Sequence, residues 1–86
     1  MKKEFYVLYK VYTNEMDMDD CGTSILGIFE SNLKAHEAIN EIVREALNRG
    51  MTLDDTDNGY LNVLLIDGVD RFYFYARKEM LETDLE

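Results

Sequence analysis

Bases are scarce in this chain: nine lysines and arginines stand against 18 aspartates and glutamates, a net charge of −9. Proteins that grip nucleic acid do so largely by neutralising phosphates with Lys and Arg, so direct nucleic-acid binding is not expected. Cysteine is scarcer still. Cys21 stands alone, which leaves no internal disulfide and fits a reducing compartment. Cys21 and His36 are the only residues of their kinds, and a thiol–imidazole nucleophile pair would need both of them plus an orienting group. One falls in a loop and the other on the first turns of a helix, so no catalytic residue and no enzyme activity are expected. The five glycines are scattered, without the spacing that cradles a phosphate. No apolar run approaches the ~20 residues that span a bilayer. The opening Met-Lys-Lys-Glu leads into a strand-like run containing Lys10 rather than the unbroken apolar core of a signal peptide. A cytoplasmic location is the expectation.

What the chain does have is enough apolar material to fold. At 86 residues, 47% apolar, with six tyrosines and four phenylalanines, it reads as a single domain over 1–86 with an acidic tail from about residue 78. A disordered acidic chain would be poor in aromatics. Residues 5–13 alternate, with Phe5, Val7, Tyr9 and Val11 on one side and Tyr6, Leu8, Lys10 and Tyr12 on the other, which predicts a strand. A polar loop over 14–22 and a second strand over 24–29 follow. Ser31 as N-cap and Gly50 as terminator bracket a helix over 32–49, with Ala35, Ile39, Ile42, Val43 and Ala46 as its core stripe. Residues 50–59 read as an acidic loop. Strands over 60–66 and 71–77, joined by a tight turn that begins at Asp67-Gly68, complete the chain. The fold class is α+β: ββαββ, a four-stranded mainly antiparallel sheet in the order 4-3-1-2 with one helix packed on one face.

The acidic excess is uneven, and its placement is the main functional signal. It collects in 14–20 (Glu15, Asp17, Asp19, Asp20), in 54–57 (Asp54, Asp55, Asp57) and in the tail. Following chain direction through ββαββ brings all three segments to one end and Lys2 and Lys3 to the other. Such a pole should attract a cationic macromolecule. Calcium is a poor occupant: an EF-hand loop counted from Asp17 has Cys21 fifth and Ile28 twelfth, and one counted from Asp54 has Thr56 third and Leu65 twelfth. No metal and no cofactor are expected. On the helix, Glu37, Glu41 and Glu45 recur every four residues, but Lys34, Arg44 and Arg49 cancel them, as on an ordinary solvated face.

In size, acidity and want of catalytic motifs the chain resembles the small DNA-mimic inhibitors that phages encode. The resemblance implies a partner that is a basic nucleic-acid-binding protein of the host, such as an HU-like nucleoid protein, a nuclease or a restriction factor, met in the host cytoplasm. It also implies that Glu15, Asp17, Asp19, Asp20, Asp54, Asp55 and Asp57 form the contact surface, with carboxylates standing in for phosphates.

One helix leaves one sheet face uncovered. Tyr73 and Tyr75, with Tyr6, Leu8, Leu64 and Ile66, are the expected members of that face, opposite Phe72 and Phe74. An apolar, tyrosine-rich face predicts an interface, and a twofold homodimer is its simplest form. The alternative reading is a dimeric ligand-sensing or structural domain whose acidity serves only solubility, marked by a pocket among the tyrosines.

Overall fold

The structure, a computed structural model, describes residues 2–82, with side chains at 3–54 and 58–80. In chain order the elements are β1 (Lys2–Asn14), β2 (Cys21–Phe29), α1 (Asn32–Asn48), β3 (Thr52–Gly59), β4 (Asn62–Asp67) and β5 (Asp70–Glu82). They form one five-stranded sheet in the order β2-β1-β5-β4-β3, every neighbouring pair antiparallel, with α1 across one face. The α+β class holds. The expected four strands in the order 4-3-1-2 do not.

Two features of the chain cause that correction. First, part of the supposed acidic loop is β3, an edge strand whose Leu53 packs against the core and whose Thr52 to Asp54 pair with Ile66 to Leu64. Asp, Asn and Gly are depleted from strands, so its sequence hides it. Second, the last strand continues past Arg77 through Glu82 and pairs along all 13 residues with β1, from Asn14↔Asp70 to Lys2↔Glu82. This ladder lies at the centre of the sheet and extends beyond its neighbours, giving a body of 51 × 28 × 20 Å.

Residues directly opposite in a ladder share a face, so register assigns every side chain. Leu8 pairs with both Gly27 and Ala76, and Val63 with Phe74. Leu8, Val63, Leu65 and Phe74 are buried together with Ile39 and Ala46 of α1, which places this side of the sheet beneath the helix. Tyr6 and Leu8, expected on the uncovered face, therefore lie on the helix side, and Leu8 is only 2% exposed. A strand's period of two permits either phase, and packing of Leu8 under α1 selects the one observed. Phe5, Val7, Tyr9 and Val11 take the helix-free face with Leu64, Ile66, Tyr73 and Tyr75.

The ends of α1 follow from its sequence. Ser31 is extended (φ −143°) and its hydroxyl accepts the Lys34 N–H at 3.2 Å, satisfying one of the first-turn donors. At the other end Gly50 has φ 92°, its N–H donates to Leu47 O at 3.1 Å, and the Met51 N–H donates to Ala46 O at 3.0 Å. That pair of bonds is a Schellman termination, which needs a left-handed residue at Gly50.

Candidate functional site at the acidic end

Chain direction in the observed sheet redistributes the acidic segments. β1 rises to the 15–20 loop, and β5, antiparallel to it, starts beside that loop and descends. The 67–70 turn thus joins the 15–20 loop at one end. The described part of the tail, residues 78–82, lies at the other end opposite residues 2–6. There Lys78 Nζ is 3.4 Å from Glu4, and Arg77 Nε is 3.5 Å from Glu79, so base meets acid. Residues 83–86 lie outside the described residues. Asp54 sits half-buried on β3, with β5 and β4 between that strand and β1, and the side chains of Asp55 and Asp57 also lie outside the described residues. The expectation of a single pole built from all three segments is corrected: pairing of β5 with β1 instead of β4 with β1 reverses the last two strands.

The acidic end that does form contains Glu15, Asp17, Asp19 and Asp20, together with Asp67 and Asp70 of the β4–β5 turn. That turn has two residues between the paired Asp67 and Asp70, with Gly68 at φ 64° in the first position, where a hairpin of this length takes glycine. The loop is tied down by short-range bonds. Asn14 Oδ1 accepts the N–H groups of Met16 (2.8 Å) and Asp17 (3.0 Å), and Asp17 Oδ1 accepts the Asp19 N–H at 3.1 Å. The Glu15 N–H donates to Val69 O at 2.7 Å, stitching loop to turn. Tyr12, at the junction, donates its hydroxyl to Asp70 Oδ1 at 2.7 Å and lies 3.1 Å from Asp20 Oδ2. Its pKa is raised: the Asn14 amide pulls it down, but the Asp70 hydrogen bond, desolvation and Asp20 together outweigh that amide. Arg71 reaches Glu15 at 2.7 Å and offsets one carboxylate.

Two further residues belong to this surface. Met16 is 80% exposed and Met18 89%, alternating with the carboxylates in Glu-Met-Asp-Met-Asp-Asp. Thioethers in this setting are unburied apolar contacts on an anionic ground. Acidity drew the sequence reading to this loop, whereas the methionines within it, and Asp67 and Asp70 in a turn expected at the far end, were missed. The alternation of Met with acid was the available signal.

Elsewhere, Cys21 is exposed at the acidic end of β2, while His36 lies at the helix start near the opposite end, stacked on Tyr60 with centroids 4.1 Å apart. Its Nδ1 is 2.7 Å from Tyr60 O and its Nε2 is 3.1 Å from the Asn40 amide. Among the described residues no three His, Cys, Asp or Glu side chains gather as a metal site, and no helix is long and apolar enough to cross a membrane. A cavity of about 270 Å³ under the C-terminal half of α1 is lined by Lys10, Ile42, Arg49, Met51, Phe72 and Phe74, among others. Tyr73 and Tyr75 are on the opposite face, where rings stack on one another: Tyr9 on Tyr75 at 5.0 Å and Tyr73 on Tyr75 at 5.3 Å. No protein-family model, curated protein or solved structure matches the chain.

Proposed function

We propose that this protein is a non-catalytic interaction module that binds a basic protein through the loop over 15–20 and the adjoining 67–70 turn. The observation that carries the reading is the pair Met16 and Met18, 80% and 89% exposed between carboxylates that a hydrogen-bonded framework holds in place. Acidity for solubility alone would not require apolar side chains at the outermost positions. Methionine, unbranched and polarisable, adapts to uneven partner surfaces. The partner this chemistry suits carries lysines and arginines around an apolar patch, as the nucleic-acid-binding face of a basic protein does when it is not occupied. DNA mimicry in the broader sense, with carboxylates from three segments tracking a phosphate path, loses residues 78–82 to the other end of the fold. The mimic reading therefore contracts to Glu15, Asp17, Asp19, Asp20, Asp67 and Asp70.

The test is a titration against a purified HU-like nucleoid protein, with poly-lysine as a purely cationic control, across a salt series. Asp17→Asn/Asp19→Asn/Asp20→Asn should weaken binding to both and flatten the salt dependence. Met16→Ser/Met18→Ser should weaken binding to the nucleoid protein by ~10-fold or more, given about 1.5–3 kcal/mol for each fully buried side chain, and leave poly-lysine binding unchanged. No binding at low salt, or equal binding by the triple Asn variant, would rule the reading out.

A further inference from the structure

We propose that the free edge of β2 is where a second copy of this chain docks, strand against strand, to close a twofold dimer. β2 is an edge strand of nine residues, Cys-Gly-Thr-Ser-Ile-Leu-Gly-Ile-Phe, with no charged residue and no proline. Folded proteins guard such edges with lysine, proline or inward-pointing charge, because the unpaired N–H and C=O groups of an edge template another strand. Here lysine, proline and inward charge are all absent, a single bulge at Leu26 is the one guard among the described residues, and apolar side chains line the edge: Ile25 is 62% exposed, Leu26 46% and Ile28 66%. By register Ile25 and Ile28 flank the strand on the helix-free face, opposite Tyr9 and Val7.

An uncharged β2 offers a second copy no local electrostatic barrier, and the acidity of the other edge disfavours an open chain of copies. Two molecules of net charge −9 repel wherever their acidic surfaces meet, and β2 is a strand where neither brings a charge. The other edge, β3, has the sequence Thr-Leu-Asp-Asp-Thr-Asp-Asn-Gly, and its ladder with β4 is interrupted between Asp54 and Gly59. Stacking β2 of one copy on β3 of the next would continue indefinitely, but that edge is acidic and irregular. β2 on β2 is self-complementary and closes. A bulge sets Leu26 outside the register with β1, which leaves residues 21–25 as the regular stretch for pairing. The helix-free face is the weaker candidate for self-association. Its tyrosines stack on one another and leave Val7 only 5% exposed without any partner.

Sedimentation equilibrium of the full chain at ~50 μM and moderate salt should give twice 10.1 kDa. Screening of the acidic repulsion should make this association tighten as salt rises, opposite to the response of the acidic end to a basic partner. Ile25→Glu/Ile28→Glu should raise the dimer dissociation constant at least ~10-fold, whereas Leu64→Ser/Tyr73→Ser, on the helix-free face two strands or more away from β2, should leave it unchanged. Amide exchange on the unaltered chain supplies a second readout: part of the β2 amides should slow as concentration rises. A monomer at all salt concentrations, a dimer that survives the Glu pair, or β2 exchange indifferent to concentration would overturn the proposal.

Discussion

Tyr12 joins the local chemistry of the acidic end to the fold that carries it. Its hydroxyl holds Asp70 on β5 and approaches Asp20 at the end of the loop, and its ring lies 5.3 Å from Phe72. Tyr9 is bound in a similar way to Glu79 at 3.4 Å, and its pKa is raised by desolvation and by that carboxylate. Ionising either phenol would place an anion against a carboxylate. Because the folded-state pKa is the higher one, each contribution to stability is complete below the ordinary value of 10.0 and is lost as pH rises through the folded-state value. Ultraviolet titration should therefore show Tyr12→Phe and Tyr9→Phe each losing tyrosinate absorbance that develops above pH 10.0. Residue-scale readings from sequence succeeded where one side chain dictates local backbone, as at Ser31 and Gly50. They failed for Met16 and Met18, whose exposure depends on an Asn14-centred loop geometry that composition does not reveal.

Among the elements, α1 was legible because its caps and its apolar spacing agree. Ser31→Ala should cost about 1 kcal/mol in chemical denaturation, the usual loss when an N-cap oxygen is removed. Gly68→Ala should cost about 1–2 kcal/mol from backbone conformation alone, since φ is 64° and a Cβ there would meet nothing within 4 Å. Leu8 and Leu65, almost fully buried where the sheet meets the helix, should each cost about 2–5 kcal/mol when changed to Ala. The same change at Ile25, exposed on the edge, should cost far less in the monomer, so comparing Leu8→Ala with Ile25→Ala checks the face assignment directly. β3 was not legible, because three aspartates, an asparagine and a glycine describe a loop by propensity. Thr52, Leu53 and Asp54, pairing with Ile66, Leu65 and Leu64, draw it onto the β4 edge, and Leu53 packs against the core. The phase of β1 was equally hidden: Tyr6 and Leu8 on one side and Phe5 and Val7 on the other are comparably apolar, and the helix decides between them.

At the scale of the whole molecule, strand order decided which charges meet. Residues 78–82, Lys-Glu-Met-Leu-Glu, do not alternate in character, but Lys78 stands opposite Tyr6 and beside Glu4, so the cross-strand pairing that extends β5 becomes visible only once β1 is aligned with it. Read as a tail, the segment contributed only charge; as strand, it lengthens the antiparallel pairing of β5 with β1, and it is that pairing that brings Asp67 and Asp70 to the acidic end. The two central strands are also those farthest apart along the chain, Lys2 facing Glu82. Folding must therefore close the segment from Asn14 to Asp70 before its longest ladder can form, which predicts slow, topology-limited refolding in stopped-flow measurements despite the small size. Until that closure, β1 has only β2 beside it, and the nascent hairpin exposes two unpaired edges, of which the β2 edge carries no charge, to whatever else is being synthesised nearby.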